Sequence, residues 1–229
     1  MPVDPVVPAA GPLPTSETVA ETVAGRIRGM VIEGIFRPGA HLSEAALSAQ
    51  FQISRNTLRE VFRLLSKEGL LRHEPNRGVF VAVPDIASIV DLYRIRRLIQ
   101  CAALAQARPR HPAVRQMCAA VERAEACRLA GDWLGVGSAD LAFHQAVVDL
   151  ADSPRLSAFF GQITVELRLA FGLLDDPEFF HEPFIDMNRQ ILTLLQGNDP
   201  SGAAAALERY LVQAERVILG GFARAPGGA

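Results

Sequence analysis

The stretch HLSEAALSAQFQISRNTLREVFRLLSKEGLLRHEPNRGVFV, His41 to Val81, decides the fold of the N-terminal part of this chain. Ser43-Glu44 opens a short helix with Leu47 and Phe51 on its inner face, and Gln52-Ile53 is a turn. Ser54 caps a second helix, in which Thr57, Leu58, Val61, Leu64 and Leu65 recur at helical spacing as far as Gly69. Leu70 to His73 and Gly78 to Val83 read as two strands joined by Glu74-Pro75-Asn76-Arg77. Helix, tight turn, helix and hairpin predict a winged helix-turn-helix.

The second helix of that unit carries the chemistry. Arg55 and Arg59 are four residues apart and share one face, and either guanidinium can fork onto guanine O6 and N7. Ser54, Asn56 and Thr57 offer donors and acceptors to phosphates or base edges. Asn76, Arg77 and Gly78 form the hairpin tip, where a missing side chain permits close backbone approach and Arg77 can reach a minor groove. These eight residues, Ser54, Arg55, Asn56, Thr57, Arg59, Asn76, Arg77 and Gly78, are the candidate contacts to double-stranded DNA.

Charge supports the assignment once it is resolved along the chain. The net charge is −2, but residues 26 to 77 hold nine Arg/Lys and five Asp/Glu, a local +4, leaving −6 on the remainder. A basic N-terminal third on an acidic body fits a nucleic-acid-binding domain joined to one that does not touch nucleic acid. No run of about 20 uncharged apolar residues is present, so a membrane-spanning helix is not expected. The Pro/Ala-rich start lacks the basic and apolar regions of a signal peptide, and residues 1–15 read as a disordered tail. Cys101, Cys118 and Cys127 have no metal or redox spacing and read as reduced, buried small hydrophobes. A cytoplasmic location is expected.

The winged unit is predicted over residues 16–83. Ser16 caps a leading helix with Val19, Val23, Ile27, Met30 and Val31 as its stripe, Gly34 stops it, and Arg37-Pro38-Gly39 is a turn. Asp85 caps the first helix of an all-helical unit predicted over 85–221. Ile86, Ile89, Leu92, Ile95, Leu98 and Ile99 form its first stripe, to about Ala107. Further helices are predicted at roughly 113–130, 133–151, 154–175, 181–196 and 201–220, a helical bundle. Met117, Met187, Phe159, Phe160, Phe171, Phe179 and Phe180 read as core, and residues 222–229 as a second disordered tail. The fold class is mainly α.

The N-terminal segment, about Glu17 to Val83, resembles the DNA-binding domain of the GntR family of bacterial transcription regulators. The resemblance lies in Arg37-Pro38-Gly39, Leu42-Ser43-Glu44, Leu47, Ser54-Arg55 with Leu58-Arg59-Glu60, Leu64 to Leu70, and Arg77-Gly78 with Phe80-Val81. It implies that Arg55, Thr57, Arg59 and Gly78 lie at the DNA. Asn56-Thr57-Leu58 replaces the family's frequent Thr-Pro-Val, and Ala45 and Ala46 stand where many relatives carry a basic residue. The helical segment, about Ile86 to Gly220, resembles the FCD effector domain of the FadR subfamily through Leu92-Tyr93-Arg94-Ile95-Arg96, Asp140 with His144, Arg189 with Ile191-Leu192, and Leu207 to Leu211.

Many members of that subfamily hold a divalent metal with one aspartate and three histidines, and the metal helps bind a carboxylate effector. Asp140 and His144 match the first two ligands, whereas Asn188 and Tyr210 stand at the other two positions and suit zinc or nickel poorly. A conventional metal site is not expected; a weakly held divalent metal on Asp140 and His144 is the alternative. His181, seven residues before Asn188, lies too far away to substitute. Arg96, Asp140, His144, Asn188 and Tyr210 are the candidate effector-binding residues, either lining a polar pocket or forming a satisfied buried network. The expected function is a homodimeric regulator, a repressor by preference, that binds a palindromic operator and responds to a small organic acid or related metabolite. The alternatives are a helical domain that only dimerises, and a metal-dependent enzyme using Asp140 and His144.

Overall fold

Residues 19–222 are described, in a computed structural model. The tail predicted over 1–15, the Ser16 cap and residues 223–229 lie outside them, while Phe222, assigned above to the second tail, instead ends the last helix. As the sequence predicts, the fold is a winged helix-turn-helix followed by an all-helical body.

Helix α1 (Val19–Ile32) buries Ala20, Val23, Ala24, Ile27 and Val31. Val19, placed on the stripe above, is 60% exposed, because the inner face starts at the small Ala20. Gly34, at φ 73°, ends the segment as expected. Helices α2 (Glu44–Phe51) and α3 (Arg55–Lys67) are capped by Ser43 and Ser54, whose hydroxyls accept from the Ala46 and Thr57 amides. Between them Gln52 takes φ 55°, and its amide closes the end of α2. Strands β2 (Leu71–Glu74) and β3 (Gly78–Val81) form the hairpin. A strand missed by the sequence reading, β1 (His41–Leu42), pairs with β3 to give the antiparallel order β1-β3-β2. The register opposes His41 to Phe80, and Arg72 also to Phe80 across the other edge of β3.

Asp85 caps α4 (Ile86–Arg96), which runs through a π-helical turn (Arg97–Cys101) into α5 (Ala102–Ala105). Its inner face is Ile89, Leu92, Tyr93, Arg96, Gln100, Ala103 and Leu104, so Ile86 and Leu98, assigned above to the inner stripe, point outward at 51% and 71% exposure. The remaining helices are α6 (Pro112–Leu129), α7 (Trp133–Asp149), α8 (Pro154–Phe171), α9 (Pro177–Gln196) and α10 (Pro200–Phe222). Helix α9 starts earlier than expected: Asp176 caps it, Pro177 fills the first position, and Pro183 is tolerated near its start. Helix α8 correspondingly stops sooner, at Phe171.

A large core and a small cluster of Ala124, Val136, Ala139 and Ile185 fill the helical body, and another core fills the winged unit. The second core is completed from outside, because Val165 and Leu169 of α8 pack into it. Helix α8 therefore belongs to both cores. Phe160, Phe171, Phe180 and Met117 are buried as expected and Met187 is half-buried, but Phe159 and Phe179 are 43% and 63% exposed. Adjacent residues on a helix face different ways, so each Phe-Phe pair can bury only one ring. The three cysteines are free and half-buried rather than buried. Among the described residues, no helix is long and apolar enough to cross a membrane.

Candidate functional site

The eight sequence-selected residues of the winged unit lie at the start of α3 and at the tip of the β2–β3 hairpin. Leu58, Val61, Phe62 and Leu65 anchor α3 in the core, which turns Arg55, Asn56, Arg59 and Glu60 outward. Ser54 and Thr57 are tied to each other: the Ser54 hydroxyl accepts from the Thr57 amide at 3.1 Å and lies 2.8 Å from Thr57 Oγ1. They define the start of α3, whereas Arg55 and Asn56 project from it. Arg59 Nε lies 3.2 Å from a carboxylate oxygen of Glu44 on α2, an exposed pair and hence a weak one.

The hairpin tip is built by two left-handed residues, Asn76 at φ 63° and Gly78 at φ 104°. Gly78 has a local reason besides any partner: a Cβ there would sit 2.8 Å from His41 Nε2, and His41 stacks on Phe80 at 5.0 Å. Arg77 lies over the Phe80 ring at 5.5 Å and pairs with Glu74 at 2.6 Å. Both contacts are made by the guanidinium, yet the side chain as a whole remains 72% exposed. No groups among the described residues compete for Arg55 or Asn56.

The second site lies inside the helical body, where α4, the π turn, α7, α9 and α10 converge. Tyr210 OH and Asn188 Nδ2 both donate to Asp140 Oδ1, at 2.7 and 2.8 Å. His144 follows Asp140 by one turn, its Nε2 3.7 Å from the same oxygen and its ring 4.8 Å from that of Tyr210. Arg96 is only 1% exposed and stacks over Tyr93 at 4.8 Å. All five candidate effector residues are thus buried together. The sequence reading missed Tyr93 and Gln100, both fully buried here. The signal for Gln100 was a lone amide inside an apolar stripe, and the π turn that carries it is a geometry common at functional sites.

The network is not satisfied. Tyr93 Oη, Arg96 Nε and Nη2, Gln100 Oε1, both His144 ring nitrogens and Asn188 Oδ1 are buried without a hydrogen-bond partner among the described residues. Burial and the adjacent Arg96 hold His144 well below its usual pKa, so the ring is neutral and contacts Asp140 without an ionic attraction. Burial raises the Asp140 pKa, against the opposing effects of Arg96, Tyr210 and Asn188. Burial pushes Tyr93 up to about 12 and Tyr210 well above 10. Both phenols therefore stay protonated, as donors.

A divalent metal does not fit this donor set. Asp140 already accepts two hydrogen bonds, Tyr210 is a protonated phenol, and Asn188 turns its amide nitrogen toward the carboxylate. No cluster of three His, Cys, Asp or Glu occurs among the described residues. His181 does not fill the gap: it packs edge-on against Phe171 and Phe180, in a different group of residues. What the site offers is an inward guanidinium with free N–H groups, a neutral imidazole and the unpartnered Tyr93 phenol, a set that suits a carboxylate or another small anion.

Comparison with known proteins agrees with this division of the chain. The family model "Bacterial regulatory proteins, gntR family" matches residues 19–81, and the FCD domain model matches residues 91–213. A solved Rhodococcus sp. RHA1 protein assigned to the GntR transcriptional regulators is 39% identical, with TM-score 0.84 over 88% of this chain and 97% of that one. The probable D-xylose utilization operon transcriptional repressor of Paenarthrobacter nicotinovorans is 25% identical over 83% of this chain and 86% of its own length. The Nta operon transcriptional regulator of Aminobacter aminovorans is 36% identical over 33% of this chain and 36% of its own. The chain spans between 32% and 40% of the first curated relatives it matches. These relatives bear the names of transcription regulators and none that of an enzyme. This chain belongs to the GntR family of bacterial regulatory proteins, among those that carry an FCD domain.

Proposed function

We propose that this protein is a transcription regulator of the FadR subfamily, and a repressor by preference, that binds a palindromic operator as a homodimer. Its α3 lies in the major groove and its wing along the flanking minor groove. Arg55, Asn56 and Arg59 read or position bases, Ser54 and Thr57 hold the helix start against phosphate, and Asn76, Arg77 and Gly78 form the minor-groove contact. The observation that carries this reading is the outward, uncommitted start of α3 beside an arginine-tipped wing, on a unit with its own core.

In the helical body, the unpartnered N–H groups of Arg96, with His144, Tyr93 and Gln100 around them, support a small carboxylic acid as effector. Asp140, Asn188 and Tyr210 fix the polar wall opposite. A ligand that binds one arrangement of the two wings better than another shifts operator affinity by that difference. Gel-shift titration against the protein's own promoter region, with and without a panel of carboxylic acids, tests both halves. Specific retardation relieved or strengthened by one acid is expected; equal weak binding to every duplex contradicts the reading.

A further inference from the structure

A second buried cation lies elsewhere in the molecule, at the seam between the winged unit and the helical body. Arg168 on α8 is 4% exposed, and its contacts are long ones: Nη1 and Nη2 each reach the Leu134 carbonyl at 3.4 Å. Asp132, whose charge reaches it, already serves as the N-cap of α7, one oxygen accepting from the Gly135 amide at 2.8 Å. A guanidinium taken out of water costs several kcal/mol unless it is paired, and no carboxylate among the described residues is within ion-pair distance of this one.

Two glycines make room for it. A Cβ on Gly137 would lie 2.8 Å from Arg168 Nη1 and 2.7 Å from His181 Nε2, so both side chains lie against the same point of α7. A Cβ on Gly34, in the turn after α1, would lie 3.4 Å from Arg168 Nη2. The guanidinium therefore spans the seam, one amino group toward each unit. His181 is buried, with its ring packed edge-on against Phe171 and Phe180. These groups face a cavity of about 410 Å³, within the size range of small-molecule sites, whose winged-unit wall is Phe36, Arg37 and Pro38. Trp133 and Leu134 supply apolar surface from the body, and Asp175 stands at the exposed rim.

We propose that this seam is a second binding site, for a small monocarboxylate with an apolar body. The carboxylate takes the Arg168 fork, neutral His181 donates one further hydrogen bond, and the apolar part packs on Trp133 and Leu134. Arg37 adds positive charge from the winged side. Because its walls belong to both units, occupancy fixes their relative placement. The site is separate from the buried Asp140 cluster and needs no ligand there.

Trp133 is the only tryptophan of the chain, so intrinsic fluorescence of the full-length protein reports on this cleft. The test is titration with benzoate and hexanoate, with benzyl alcohol as the uncharged control, on wild type, R168Q and R96Q. The expected result is a saturable Trp133 signal with both acids and none with the alcohol, unchanged in R96Q and weakened about tenfold or more in R168Q, as loss of a charge-assisted hydrogen bond requires. No saturable signal in wild type up to about 10 mM, a weak affinity by any scale, overturns the proposal. So does equal affinity in R168Q, or loss in R96Q alone, which would assign the acids to the Asp140 cluster. Should R168Q not fold, H181L gives the same comparison, again with at least severalfold weakening expected and unchanged affinity overturning the site.

Discussion

Arg59 shows how a candidate DNA contact is stored. In the free protein it rests on Glu44 at 3.2 Å, in an exposed pair worth at most about 1 kcal/mol. In the proposed complex, DNA takes the guanidinium from that carboxylate. R59A should weaken specific binding by about 1–3 kcal/mol. E44Q should tighten it, by up to about fivefold at moderate salt, since it removes both the competitor and a like charge. Fluorescence-anisotropy titrations of the two variants check the opposite signs. The buried histidines make a second prediction at this scale. His181 is held down to about 3 by burial and then by Arg168, and His144 is lowered in the same direction. The folded state thus binds these protons less readily than the unfolded state, so their contribution is complete above pH 6.5 and is lost as pH falls. For His181 alone, stability should drop by roughly 2 kcal/mol between pH 6.5 and 5. The raised Asp140 pKa has the opposite sign and offsets part of the loss. Urea unfolding across this range should show a clear downward slope that is shallower in H181L.

Among the elements, the wing depends on a contact that sequence patterns cannot display. Gly78 needs a positive φ and an empty Cβ position beside His41, a residue 37 positions earlier on a two-residue strand. G78A should cost about 1–3 kcal/mol of stability; adding H41A should recover the steric part and leave the backbone part, as a double-mutant cycle will show. The long elements were legible because their signals are local. Ser43, Ser54 and Asp85 cap the helices they precede, and α3 presents Leu58 and Leu65 at helical spacing, whereas the Asp176 cap of α9 went unread. Strand β1 is too short to alternate. The inner face of α4 was misplaced toward Leu98 because its true inner residues include Arg96 and Gln100, and a search for apolar stripes discards polar residues. The four residues around Asp140 could be named from their spacing and family likeness. The Arg168–His181 pair could not, since it arises only where glycines on two different elements leave space.

The whole molecule couples its two units through α8, which supplies Val165 and Leu169 to the winged core while Ile163 and Leu167 serve the helical one. L169A should destabilise the protein by about 2–5 kcal/mol and broaden or split a single calorimetric transition, because the cavity lies at the junction; an unchanged, single transition would show that the units do not depend on this seam. The charge division has the same two-part logic, +4 over residues 26 to 77 against −6 elsewhere, so DNA should engage one end and be repelled by the other. The most direct test of the central claim is the affinity of the purified full-length protein for a duplex from its own promoter region, measured at physiological salt beside a scrambled duplex of equal composition. The account predicts a preference on the order of a thousandfold or more, lost when Arg55 and Arg59 are both replaced by alanine. Equal affinity for the two duplexes, or a preference that survives the double substitution, would contradict it.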